Sequence, residues 1–268
     1  MLTILHTNDF HNQLTATQAQ RLHQERLSVG ETGLLLDAGD AIGAGNITFR
    51  PGGEPILETM TQIGYDAMTV GNREFHFSRM GFHSKLSRAS FPILCANVRR
   101  SGKELPSKER SSAENEHPDG PFVETSPLDP PVVPYIQRVL SSGWHVVILG
   151  VTVPMITERM LVRKASAYVF EDPILTAQRL IPSLREQYHP DLLIALTHIG
   201  VQQDRLLATQ VTGIDLIIGG HTHVVLPEGE RVGETLIVQA GCKGHYMGRV
   251  HATKTGNQLC LTASLETL

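Results

Sequence analysis

Leu216-Ile217-Ile218-Gly219-Gly220-His221-Thr222-His223 decides how the rest of the chain is read. Three apolar residues stop at a glycine pair, the pattern of a short buried strand running into a loop. If strand pairing ends at Gly219, His221 and His223 can turn into one space above the sheet. Histidine is the commonest nitrogen ligand for transition metals, so the pair marks a candidate ligand loop.

The same arrangement recurs upstream. Leu2-Thr3-Ile4-Leu5 leads into His6-Thr7-Asn8-Asp9-Phe10-His11, and Leu34-Leu35-Leu36 into Asp37-Ala38-Gly39-Asp40. The strand Tyr65–Val70 leads into Gly71-Asn72-Arg73-Glu74-Phe75-His76, and Asp191–Leu196 into Thr197-His198-Ile199-Gly200. Helical patterning falls over Gln13–Leu27, Pro55–Ile63, Met80–Arg88, Asp172–Gln187 and Gln203–Gln210. Phe91–Asn97 and Val146–Val151 read as further strands, and Tyr135–Leu140 resumes regular patterning. Thr235–Gln239 and Gly248–Leu261 alternate like antiparallel β. An early βαβαβαβ pattern with β-rich structure later is an α/β fold, and ligands in such layered folds gather where strands end.

Composition narrows the partners. At 268 residues the chain can bury a sizeable core, and 24 glycines suit many tight strand-to-loop turns. A net charge of −4 offers no basic footprint for a nucleic-acid polymer or an anionic membrane, which leaves small or singly presented substrates as partners. Cys95, Cys242 and Cys260 make neither a disulfide framework nor a CxxC site and read as reduced packing residues. The chain opens on a strand, without a leader or a membrane-length apolar run, so a cytoplasmic location is expected. Residues 99–131, rich in Pro, Ser, Glu and Lys, read as a mobile surface insertion in a single domain spanning 1–268.

Asp9, His11, Asp40, Asn72, His198, His221 and His223 all follow strands and come from five loops. One divalent ion takes four to six ligands, and this set exceeds that. Two ions sharing a carboxylate would use them all, and Asp40 is the natural bridge because each of its oxygens can serve one ion. Two ions about 3.5–4 Å apart can hold a hydroxide between them and clamp an in-line attack at phosphorus. Mixed nitrogen and oxygen donors suit Mn, Zn, Fe or Co.

These motifs resemble those of the calcineurin-like metallophosphoesterase superfamily, within it the catalytic domain of the 5′-nucleotidase/2′,3′-cyclic-nucleotide phosphodiesterase branch. The resemblance rests on the five strand-end motifs in family order. Gln239-Ala240-Gly241 and Gly248-Arg249 resemble that branch's closing strands. It implies a four-layer α/β/β/α sandwich of mixed sheets and a phosphohydrolase using two divalent metal ions. It also implies that Asp9, His11, Asp40 and His223 hold one ion, and Asp40, Asn72, His198 and His221 the other. The alternatives are a phosphodiesterase and a catalytically weak metal-binding or regulatory module.

Two departures qualify the resemblance. The family motif Gly-Asn-His-Glu reads Gly71-Asn72-Arg73-Glu74 here, and His76 stands where the family often has Asp. In relatives that His contacts the substrate phosphate and assists the leaving group. Arg73 stays protonated and is a poor general acid, but its guanidinium fork suits an oxyanion. Arg73 and His76 are therefore the candidate catalytic residues, Arg73 as a phosphoryl clamp and His76 as a weak reserve proton donor. The second departure is length, which leaves no C-terminal nucleotide-binding domain in this stretch of chain; Lys243, His245 and Tyr246 could line the open site instead.

Overall fold

The computed structural model describes residues 1–101, 131–256 and 258–268. Its elements run β1 Leu2–Thr7, α1 Ala16–Val29, β2 Gly33–Asp37, α2 Pro55–Ile63, β3 Ala67–Thr69, α3 Arg79–Leu86, β4 Ile93–Leu94 and β5 Val98–Arg100. After residue 131 come β6 Tyr135–Val139, β7 His145–Thr152, β8 Tyr168–Phe170, α4 Pro173–Tyr188, β9 Leu192–His198, α5 Val201–Gln210 and β10 Leu216–Ile218. The chain closes with β11 Glu230–Val232, β12 Thr235–Val238, β13 Tyr246–Thr255 and β14 Gln258–Thr267. The expected insertion at 99–131 falls mostly outside the described residues, but its first residues do not: Arg99 and Arg100 belong to β5, paired antiparallel with β8.

Two six-stranded sheets form, ordered β14-β13-β1-β2-β3-β4 and β11-β12-β10-β9-β7-β6. Strands β1 to β4 pair in parallel, as do β7, β9, β10 and β12, while β13, β14, β6 and β11 add antiparallel edges. The two-residue period of a strand sorts side chains between the layers. Ile4, Leu34 and Leu36 of the first sheet meet Val146, Ile148, Ile194 and Ile218 of the second. Leu5 and Leu35 point the other way, onto Leu22 of α1, Leu57 and Met60 of α2, and Phe82 of α3. Val147, Leu193 and Ile217 face Ile181 and Leu184 of α4 and Leu207 of α5. The result is the four-layer α/β/β/α sandwich, with parallel strands of both sheets delivering their C-terminal loops to one end.

Local signals set the helix limits. Thr15 and Gln18 form a capping box that starts α1 at Ala16, three residues later than the apolar spacing suggests. Pro55 in the first turn and left-handed Gly64 at the C-cap (φ 97°) bound α2 where expected. None of the helices is long and apolar enough to cross a membrane among the described residues.

The sheets approach closely at Gly150 of β7, where a Cβ would lie 2.3 Å from Leu94 Cβ and 2.7 Å from its carbonyl carbon. Backbone cannot yield there as a side chain could. Gly150→Ala is expected to lower unfolding free energy by about 1–3 kcal/mol. Urea denaturation checks this; a change below about 0.5 kcal/mol, the level of a neutral surface substitution, contradicts it.

Candidate metal centre

All seven sequence-predicted donors lie at this end of the sandwich. Asp9 and His11 follow β1, Asp40 follows β2, Asn72 follows β3, His198 ends β9, and His221 and His223 follow β10. Five of them have left-handed backbone: Asp9 (φ 55°), His11 (49°), Asp40 (54°), His221 (79°) and His223 (56°). Non-glycine residues held there cost of order 1–3 kcal/mol each and persist where surrounding structure forces them.

His11 Nε2 and His223 Nε2 lie 3.0 Å apart and face Asp9 Oδ1 at 3.5 and 3.3 Å. That oxygen is buried and has no hydrogen-bond donor among the described residues. The other Asp9 oxygen accepts from Asn8 Nδ2 (2.8 Å) and the His221 amide (2.9 Å), so the surrounding loops aim the free oxygen. Asn8 in turn donates to Gly241 O and accepts from the Ala240 amide, tying this loop to the segment after β12 of the second sheet.

The second half of the site is deeper. His198 Nδ1 donates to Ala38 O at 2.7 Å, which turns Nε2 towards Asp40 Oδ1 (3.6 Å) and Asn72 Oδ1 (3.3 Å). His221 Nδ1 lies 3.0 Å from the same Asn72 oxygen. Ligand atoms of Asp9, His11 and His223, and of Asp9, Asp40 and His198, fall within 4.8 Å of one another. Asp9 thus touches both groups, and Asp40 is exposed to the charge of both His198 and His11. Burial alone would raise the Asp40 pKa, but those histidines and the Arg73 amide hold it below its ordinary value. Burial would likewise lower the His198 pKa, yet Asp40 and Asp9 raise it to about 9. Crowded lone pairs of this kind need a positive charge among them, and the donor set fits divalent cations.

Gly219 and Gly220 are required by space rather than by backbone angle. A Cβ on Gly220 would lie 2.7 Å from Ala38 O and 2.9 Å from His198 Nδ1, and one on Gly219 would lie 2.4 Å from Asp204 Oδ2. The glycine pair lets the His221 loop cross the seam between sheets.

The family profile of calcineurin-like phosphoesterases matches residues 2–225. The chain belongs to that family. It is 33% identical over 272 residues to the trifunctional nucleotide phosphoesterase protein YfkN of Bacillus subtilis, covering 93% of this chain and 18% of that protein. It is 32% identical over 257 residues to the 5′-nucleotidase of Rattus norvegicus, covering 85% of this chain and 39% of the relative. It therefore spans well under half the length of either. The crystal structure of a 5′-nucleotidase precursor from Thermus thermophilus superposes with a TM-score of 0.75 at 23% identity, covering 100% of this chain and 54% of that one.

Within this calcineurin-like phosphoesterase, the motif departures have definite positions. The Arg73 amide donates to Asp40 Oδ1 (2.7 Å), and its guanidinium donates to Gly43 O (3.0 Å) with Nε 3.5 Å from Asp40 Oδ2. Arg73 therefore stands at the rim of the donor cluster, partly exposed. His76 is turned towards α3, its Nδ1 accepting from the Ser78 amide (3.0 Å) and paired with Ser78 Oγ (2.9 Å) while its ring stacks on Phe77. Burial and the nearby Lys85 charge lower its pKa. Lys243 donates its amide to Asp9 O at 2.8 Å, so its loop adjoins the site, with His245 exposed.

Sequence reading gave Glu74 no role. It is fully buried and accepts from the amides of Asp40 (2.9 Å), Gly71 (2.8 Å) and Ile42 (3.2 Å), stitching the loop after β2 to the turn after β3. Its place beside Asn72 in the motif was the only available signal. Asp204, also unassigned, is buried against Thr197 and Gly219 beneath the histidine loops. Glu74→Ala leaves three buried amides unpaired, at about 1–3 kcal/mol each. Urea unfolding in chelator should show a loss of at least about 3 kcal/mol; a loss under about 1 kcal/mol contradicts the stitching role.

Proposed function

We propose that the chain is a metal-dependent phosphohydrolase of small phosphorylated substrates, nucleotides foremost among them. Convergence of Asp9, His11, Asp40, Asn72, His198, His221 and His223 carries this reading. Asp9, His11, Asp40 and His223 would hold one divalent ion, and Asp40, Asn72, His198 and His221 the other. The Asp9 oxygen without a hydrogen-bond donor among the described residues and the His198 ring orientation set by Ala38 support it. The names of the relatives, a nucleotide phosphoesterase and a 5′-nucleotidase, support the substrate class. When bound, such ions supply positive charge to phosphoryl oxygens and bring the pKa of water from about 15.7 towards 7.

The chain's own residues do the rest. Asn8 and the His221 amide aim Asp9, Ala38 orients His198, and Glu74 keeps Asp40 and Asn72 in register. Arg73 binds a phosphoryl oxygen with the planar fork of its guanidinium. It gives no proton to a departing alkoxide. His76, held by Ser78, packs the turn that carries Arg73.

Elemental analysis of protein purified without added metal, coupled to hydrolysis of nitrophenyl phosphate, its bis-ester and nucleoside monophosphates, tests the function. About two ions per chain and turnover that chelation abolishes are expected. Two bound ions with no turnover on any ester would instead make this a metal-binding module. Arg73→Ala is expected to lower kcat on nitrophenyl phosphate by about 10²–10³, as for loss of an oxyanion donor. Unchanged kcat would remove Arg73 from the reaction.

A further inference from the structure

Lys85, in the last turn of α3, has no exposed surface. Its ammonium donates to Arg73 O at 2.7 Å, Gly45 O at 2.8 Å and Phe75 O at 3.0 Å. All three donors are therefore spent on backbone carbonyls. Gly45 lies in the long loop after β2, whereas Arg73 and Phe75 lie in the turn after β3. One cation thus binds two loops that share no β-ladder at this point.

The loop after β2 also holds the guanidinium of Arg73, which the turn after β3 carries, through Gly43 O and Asp40. A buried ammonium is costly unless each donor is met, and an apolar side chain of similar volume would pack here without that desolvation. Burial pulls the Lys85 pKa down to about 8, with Glu74 and Glu54 opposing it. What an apolar residue could not do is tie Gly45 to Arg73.

We propose that Lys85 is a positioning residue for substrate recognition: by joining the carbonyls of Gly45, Arg73 and Phe75 it fixes the spacing of the two loops and aims the Arg73 guanidinium at the phosphoryl group. The inference rests on the reading of Arg73 as the phosphoryl clamp. It makes Lys85 act through Arg73 and not through the metal ligands.

A double-mutant cycle separates these roles, read as the Kd of inorganic phosphate for metal-loaded protein by titration calorimetry, which needs no turnover. Lys85→Met is expected to weaken phosphate binding about tenfold in the parent, and less than about twofold in the Arg73→Ala background. Metal content by elemental analysis should stay at the parental value in both. Equal weakening in both backgrounds, unaltered affinity in Lys85→Met, or loss of metal from Lys85→Met would each overturn the inference. An Arg73→Ala protein that binds phosphate as tightly as the parent would overturn the clamp, and this inference with it, while leaving the hydrolase reading to the ester panel. Should Lys85→Met fail to fold, Lys85→Gln, which keeps part of the donor set, is read in the same way.

Discussion

Electron-pair donors packed without enough protons to separate them are the constraint around which this molecule is arranged. Asp9 Oδ1 is buried, unpartnered among the described residues, and confronted by two imidazole nitrogens. Asp40 and His198 pack more deeply, and their mutual attraction shifts both pKa values in favour of the charged forms, so this pair draws positive charge to itself. Such a cluster would relax outward if its backbone could. It is held instead in left-handed conformations at five of seven donors, a strain that only a rigid surround can sustain.

The two-sheet architecture supplies that surround. Apolar side chains from both sheets lock together between them, so the loops after β1, β2 and β3 cannot drift relative to those after β9 and β10. Cross-seam bonds then set the fine geometry: His198 to Ala38 O, the His221 amide to Asp9, and Asn8 to Ala240 and Gly241. Beneath the rim, Glu74 and Lys85 play matching parts, one accepting from loop amides and the other donating to loop carbonyls. Each replaces backbone pairing that a loop cannot make with itself.

Much of this is legible in the linear sequence, and what is not has a common cause. Apolar runs ending in Asp, Asn or His give both the α/β class and the seven donors, because strand identity and the chemistry of the following loop are local properties. Strand lengths were less so: Phe91–Asn97 yields only β4 Ile93–Leu94, since ladder ends depend on a neighbour far away in sequence. β5 escapes notice because Arg99 and Arg100 look like the start of a polar excursion, and only pairing with Tyr168–Phe170 makes them a strand. Glu74, Asp204 and Lys85 are ordinary charged residues on paper. Their significance arises from burial and from partners up to tens of residues distant, which no short window contains.

That two cations would share Asp40 is the proposal on which the chemistry turns. Anomalous diffraction from crystals of the metal-loaded protein, collected on either side of the metal's absorption edge, addresses it most directly. Two peaks flanking Asp40 are predicted, one beside His11 and His223 and the other beside His198 and His221. A single peak, or peaks away from Asp40, would contradict the account.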